Sequence, residues 1–144
     1  MLIESRSALD PELAALVTAQ QREARESTAF TPDDDSAYLV AAVDGRAVAC
    51  AGWRPLGDGV AQVRRIYVRP AFRGRGIARQ LIVWVEEEAL AAGCPTVRLA
   101  TDPLLEAAIG LYLSSGYRPI PAYGEYAGNP DRVCFEKRLA ALVQ

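Results

Sequence analysis

The stretch Ile66-Tyr67-Val68-Arg69-Pro70-Ala71-Phe72-Arg73-Gly74-Arg75-Gly76-Ile77-Ala78 passes from a β-forming run, through a loop with glycines at alternate positions, into a helix. Val63 and Ile66-Tyr67-Val68 have the branched and aromatic side chains that suit a strand, which reads from Gln62 to Val68. Pro70 ends it, because proline cannot donate to a ladder. Ala71 to Arg75 forms the loop. From Gly76 the spacing predicts a helix to about Ala92, with Ile77, Leu81, Trp84, Val85, Ala89 and Ala92 as its apolar stripe. Gly93 fits the position just past the helix, and Pro95 forbids continuation. Thr96-Val97-Arg98-Leu99-Ala100 then reads as a strand. Strand, helix and strand in this order make a βαβ unit with parallel strands.

Upstream, the pattern is antiparallel. Leu2-Ile3-Glu4-Ser5 is a short opening strand, and Asp10-Pro11 starts a helix that runs to about Glu26. After a polar loop from Thr28 to Asp35, Tyr38 to Val43 and Ala47 to Trp53 flank Asp44-Gly45, a hairpin turn signal. Gly57-Asp58-Gly59 makes the next turn. Downstream, Leu104 to Ser115 reads as a second helix stopped by Gly116, and Tyr117 to Ile120 and Arg132 to Lys137 as closing strands. The class is α/β with a mixed sheet, not a doubly wound one.

The loop has a chemical use. Glycines at 74 and 76 let the backbone turn and approach a ligand closely. The first turn of a helix presents unpaired N–H groups at its positive end, which can wrap a pyrophosphate. Arg73, Arg75 and Arg79 could add charge-assisted bonds. A plain strand-to-helix turn is the competing explanation of the glycines. A dinucleotide site would need a third glycine and an early position in an open parallel sheet. A Walker-type loop would need a lysine, and the chain's only lysine is Lys137.

Composition narrows the class further. The 144 residues suit one domain, 1–144, and 51% are apolar. Net charge is −2, which disfavours a general nucleic-acid binder, while six arginines fall between Arg64 and Arg79. Such a local patch suits a small polyanion. With no histidine, and Cys50, Cys94 and Cys134 far apart, His-based catalysis is excluded and no metal site is expected. No run is long enough for a membrane span and no signal-peptide pattern opens the chain, so a cytoplasmic protein is expected, with a homodimer compatible.

Ile66 to Ala78 resembles the signature of the GNAT superfamily of N-acetyltransferases, whose pattern is Arg or Gln, two residues, Gly, one residue, then Gly or Ala; Arg73, Gly76 and Ala78 match it. Ala108-Ile109-Gly110-Leu111-Tyr112 ahead of Gly116-Tyr117 is similar to the family's second landmark. The resemblance implies a mostly antiparallel sheet with a splayed central parallel pair, flanked by helices, and acetyl-CoA as cofactor. By that likeness Ile66, Tyr67 and Val68 would bind the pantetheine, and Gly74, Arg75, Gly76, Ile77, Ala78 and Arg79, with Arg73 before them, the pyrophosphate. Val68 would offer its amide to the developing oxyanion, and Tyr112 would protonate the departing thiolate.

The chain departs from the family pattern where a general base is common. Gln62, Ala100 and Leu105 stand at positions that often carry acids or polar groups in relatives. Glu106, Glu125 and Glu26 are substitutes, each also explicable as a solvated carboxylate. The acceptor side would draw on Glu26, Asp33, Asp34, Asp35, Tyr123, Glu125 and Tyr126, where acid and aromatic together suit a cationic amine. The leading expectation is acetyl transfer to a small primary amine. A non-catalytic acyl-CoA-binding module and a protein N-terminal or lysine acetyltransferase are the alternatives.

Overall fold

The computed structural model of the protein describes residues 1–25 and 36–139. Glu26 and Asp33-Asp34-Asp35 lie outside the described residues.

Seven strands form one sheet: β1 (Leu2–Arg6), β2 (Ala37–Val43), β3 (Arg46–Gly57), β4 (Val60–Val68), β5 (Thr96–Thr101), β6 (Arg118–Ile120) and β7 (Val133–Arg138). Their order is β1-β2-β3-β4-β5-β7-β6. Every neighbouring pair is antiparallel except β4 and β5. The expected mixed, mostly antiparallel sheet with one parallel pair is therefore present. Three helices accompany it: α1 (Pro11–Glu23), α2 (Ile77–Ala91) and α3 (Glu106–Ser114).

The two faces of the sheet carry separate cores. On one, Leu13, Leu16 and Val17 of α1 pack on Tyr38, Val40, Cys50 and Tyr67. On the other, Ile77, Leu81, Ile82, Val85 and Ala89 of α2 pack on Leu39, Val48, Trp53, Val63, Val97 and Leu99. Complete burial of an aliphatic side chain of this kind stabilises the fold by about 1.5–3 kcal/mol. The sequence stripe needs two corrections: Trp84 is 42% exposed while Ile82 is inside, and Ala92 is exposed and caps the helix, which ends at Ala91. Each four-residue step along a helix rotates by about 40° beyond a full turn. The stripe from Ile77 to Ala89 therefore drifts towards Ile82 and leaves Trp84 at its rim.

Local signals explain the helix ends. The Asp10 carboxylate accepts from the Leu13 N–H at 2.9 Å, with Pro11 in the first turn. Arg6 also donates to Asp10, at 2.9 Å. Asp10→Ala should lower stability by about 1 kcal/mol through loss of the cap, read as an earlier urea midpoint at unchanged slope. An unchanged midpoint would deny the cap its role. At the far end of α2 the Cys94 N–H returns to the Ala89 carbonyl at 2.8 Å, closing a Schellman turn around Gly93. All three cysteines are buried and free. Among the described residues no helix is long and apolar enough to cross a membrane, and no group of three or more metal-binding side chains is gathered.

Candidate active site

The parallel pairing of β4 and β5 is short. It holds Val60 to Thr96, Ala61 to Val97 and Gln62 to Arg98, and then the strands part. A bulge in β4 accompanies the parting. Cys50 and Gly52 of β3 oppose Tyr67 and Arg64, so β4 contains one extra residue. Arg65 takes the left-handed conformation there, with φ 54°. An extra residue of this kind bends the strand that carries it. The gap is an open cleft of about 560 Å³, walled by Val63–Ile66 on one side and Leu99–Asp102 on the other, with Gln20, Glu23, Leu105, Ala108 and Tyr112 also lining it.

Ladder geometry shows where the β4 main chain points. The Arg69 N–H donates to the Val48 carbonyl at 2.9 Å, which makes Arg69 and Val48 a bonded pair. Bonded and non-bonded pairs alternate along an antiparallel ladder. Val68, opposite Ala49, is thus a non-bonded position, and its N–H and C=O turn away from β3. Its carbonyl accepts from Arg73 Nε at 2.9 Å. The Ile66 carbonyl is held by Gln20 Nε2 at 2.9 Å. Gln20 Oε1 is buried without a hydrogen-bond partner among the described residues.

Past Val68 a 3-10 turn over Pro70–Phe72 leads into the glycine loop. Gly74 and Gly76 have φ of 79° and 78°, and a Cβ at either would meet no atom within 4 Å. No N–H from Gly74 to Arg79 finds an acceptor in the described backbone, because the ladder of α2 begins later and Gln80 N–H is the first to bond Gly76. Open space, unpaired amides and a helix N-terminus fit a pyrophosphate. The three arginines are differently engaged. Arg73 forks onto both oxygens of Glu23 at 2.9 Å and lies over the Tyr67 ring. Arg75 stacks on Phe72, 4.8 Å from the ring centroid. Arg79 bonds Ser114 and Ser115 at 2.8 and 3.2 Å. Arg73 is thereby a brace between loop and α1, while Arg75 and Arg79 remain exposed beside the amides.

Tyr112 faces the cleft from α3, on the same side as Leu105 and Ala108. Its ring packs against Tyr117 and Phe135, with centroids at 6.2 and 6.0 Å. Burial pushes its phenol up to about 12, so the proton stays on oxygen at neutral pH.

The predicted acceptor residues separate. Tyr126 lines the cleft. Tyr123 instead accepts from Gln62 Nε2 at 3.3 Å and lies under Arg98. Glu125 is exposed and off the cleft wall. Gln62 is buried where the strands part, and its carbonyl oxygen takes Arg54 Nε at 3.3 Å. Glu106 also lies away from the wall. The carboxylates that do reach the wall among the described residues, Glu23 and Asp102, were not singled out from sequence. Asp102 Oδ1 accepts from the Leu104 N–H at 2.8 Å. Neither had a local signal: Gln20 and Glu23 read as the polar face of a helix, and Asp102 as a loop opener.

The model of the family described as Acetyltransferase (GNAT) family matches residues 6–117. A relative from Azospirillum brasilense named IAA acetyltransferase is 33% identical over 106 residues, which are 73% of this chain and 69% of that one. A Klebsiella pneumoniae protein assigned as an acyl-CoA N-acyltransferase has a crystal structure that superposes with a TM-score of 0.86 at 28% identity, over 96% of this chain and 97% of its own. A Bacillus anthracis protein assigned as a streptothricin acetyltransferase, crystallised with acetyl coenzyme A, shares the fold at a TM-score of 0.65 and 17% identity, over 77% of this chain and 66% of that one.

Proposed function

We propose, from the premise that this chain belongs to the acetyltransferase (GNAT) family, that it moves an acetyl group from acetyl-CoA to the primary amine of a small molecule by direct attack within a ternary complex. The observation that carries the reading is the parting of β4 and β5 beyond Gln62, which leaves strand main chain facing a cleft.

Acetyl-CoA supplies a thioester-activated acetyl group. The amides from Gly74 to Arg79 would hold its pyrophosphate, with Arg75 and Arg79 adding charge, and Ile66, Tyr67 and Val68 would run beside its pantetheine. Arg73 supports this indirectly by fixing the loop to Glu23. The Val68 N–H, which turns away from β3, would donate to the oxygen that gains charge. A donor of this kind is worth about 3 kcal/mol in a dry site. Tyr112 keeps its proton until it is needed at sulfur. Gln62, Ala100 and Leu105 bring no carboxylate to the wall, so an acceptor amine that is partly neutral at the working pH is the best match to this site.

An acceptor panel of small primary amines, followed by release of free CoA, tests the reading. Turnover on at least one small amine, and none on peptide N-termini or lysine peptides, is the expected result. Tight cofactor binding with no turnover on any amine would instead favour an acyl-CoA-binding module.

A further inference from the structure

The last turn of α1 reaches across to the parted edge of β4. Gln20 and Glu23 stand three residues apart on one side of the helix, and both line the cleft. Gln20 Nε2 donates to the Ile66 carbonyl at 2.9 Å. Glu23 holds Arg73 by both carboxylate oxygens at 2.9 Å, and Arg73 Nε donates to the Val68 carbonyl at 2.9 Å. Tyr67, between them, is paired with Cys50 of β3, so Ile66 and Val68 both turn their main chain away from that strand. One turn of α1 therefore fixes two successive carbonyls of the parted edge, the first directly and the second through an arginine.

This stretch needs holding. Beyond Gln62 the ladder between β4 and β5 has ended, and Arg65, one residue before Ile66, sits in the left-handed region at φ 54°. A bulge re-aims the chain that follows it, and a residue with a Cβ stays at positive φ only where its surroundings over-determine it. Gln20 bonds the first residue past that joint. The bond has a cost. With Nε2 on the Ile66 carbonyl, Oε1 is buried with no partner among the described residues. Turning the amide round would set two acceptor oxygens against each other, so the bond to Ile66 forces the orphan. A buried acceptor without a donor lowers stability, and a side chain kept on those terms calls for a reason other than stability.

We infer that Gln20 is a positioning residue for acetyl transfer: by holding the Ile66 carbonyl it keeps the Val68 N–H aimed into the cleft, at the acetyl oxygen. The inference rests on the acetyl-transfer reading and its use of Val68, but on no particular acceptor. Gln20 touches no reacting atom. It acts two residues away, through main chain with a left-handed joint on one side and the glycine loop on the other.

The test follows the Val68 amide itself by NMR. The full chain is saturated with CoA and, separately, with acetyl-carba(dethia)-CoA, in which a methylene replaces sulfur so that the acetyl oxygen is present and cannot be transferred away. In the natural chain the Val68 N–H should lie further downfield with the analogue than with CoA, the mark of a hydrogen bond to the acetyl oxygen. Gln20→Met, similar in length and without either polar atom, should lose most of that displacement. Gln20→Lys, which restores a donor and no oxygen, should recover it, and Gln20→Glu, which restores only oxygen, should not. In Gln20→Met the melting temperature should hold or rise, because the orphan goes with the donor. Its kcat should fall about tenfold, part of what an oxyanion donor contributes, with CoA affinity unchanged. An undiminished displacement in Gln20→Met, or none in the natural chain, would overturn the inference. So would a lower melting temperature with displacement and kcat both unchanged, which is what a merely structural side chain gives. Recovery in Gln20→Glu but not in Gln20→Lys would move the role to Oε1 and overturn it as well. The expected displacements without turnover on any amine would sustain the positioning of Val68 and sink the transferase reading.

Discussion

Tyr112→Phe is expected to lower kcat about a hundredfold, at the low end of what a positioned general acid contributes, and to leave cofactor affinity unchanged. The substitution removes one oxygen and little else. The ring stays packed on Tyr117 and Phe135. Among the described residues the phenol has no protein hydrogen-bond partner, so its loss orphans no buried group and should not move the melting temperature. The pH profile gives a second test. The acid must be protonated to work, so its contribution is present at low pH and lost as pH rises through its pKa. Burial places that loss near pH 12, and kcat should show no alkaline limb from Tyr112 across the ordinary assay range. A fall in kcat near pH 8–9 that vanished in Tyr112→Phe would contradict the buried phenol. Unchanged turnover in the variant would remove the acid role altogether.

The same burial limits what Tyr112 can do. A thiol has a pKa of about 8.5, so full transfer from a phenol near 12 is uphill by about 5 kcal/mol. On the proposed reading, the phenol would therefore act as a donor that stabilises charge growing on sulfur, with transfer completed as the proton released by the amine becomes available.

Much of this was legible in the sequence because it depends on neighbours in the chain. The βαβ unit, the Asp10-Pro11 start, the Asp44-Gly45 turn and the alternate glycines each carry their own local signature. The bulge does not. Val63-Arg64-Arg65-Ile66-Tyr67 reads as an uninterrupted β run, and an arginine at φ 54° leaves no mark in composition. Side-chain engagement is equally hidden. Arg73 looks like a phosphate ligand by position, yet its guanidinium lies on Glu23, fifty residues away in sequence and close only because α1 packs across β4. Sequence counts charges, and folding decides which ones are neutralised. Of the residues expected on the acceptor side, Tyr126 lines the cleft while Tyr123 and Glu125 stand off it, and Glu26 and Asp33-Asp34-Asp35 lie outside the described residues.

The largest effect on binding should come from Gly76→Val, with CoA affinity reduced at least about thirtyfold, equivalent to roughly 2 kcal/mol. At φ 78° a residue with a Cβ pays about 1–2 kcal/mol in the left-handed region, and a β-branched one more. In the free protein that is the whole penalty, because a Cβ at Gly76 would meet no atom within 4 Å. The folded chain should survive with a melting temperature lowered by only a few degrees. Binding suffers more, because the space left open in front of the Ile77, Ala78 and Arg79 amides is the space a pyrophosphate would fill. Gly74→Val, with the same handedness and the same open surroundings, should behave alike. Arg79→Ala should do less, since that side chain is exposed and already rests on Ser114 and Ser115. Calorimetric titration with CoA, paired with thermal melts, separates strain from obstruction: Gly76→Ala adds the strain with little bulk, so an affinity for it close to the natural chain's would assign the loss in Gly76→Val to the occupied space. Unaltered affinity in both valine variants would show that these amides do not hold the cofactor, and would leave the glycines as the components of a tight turn.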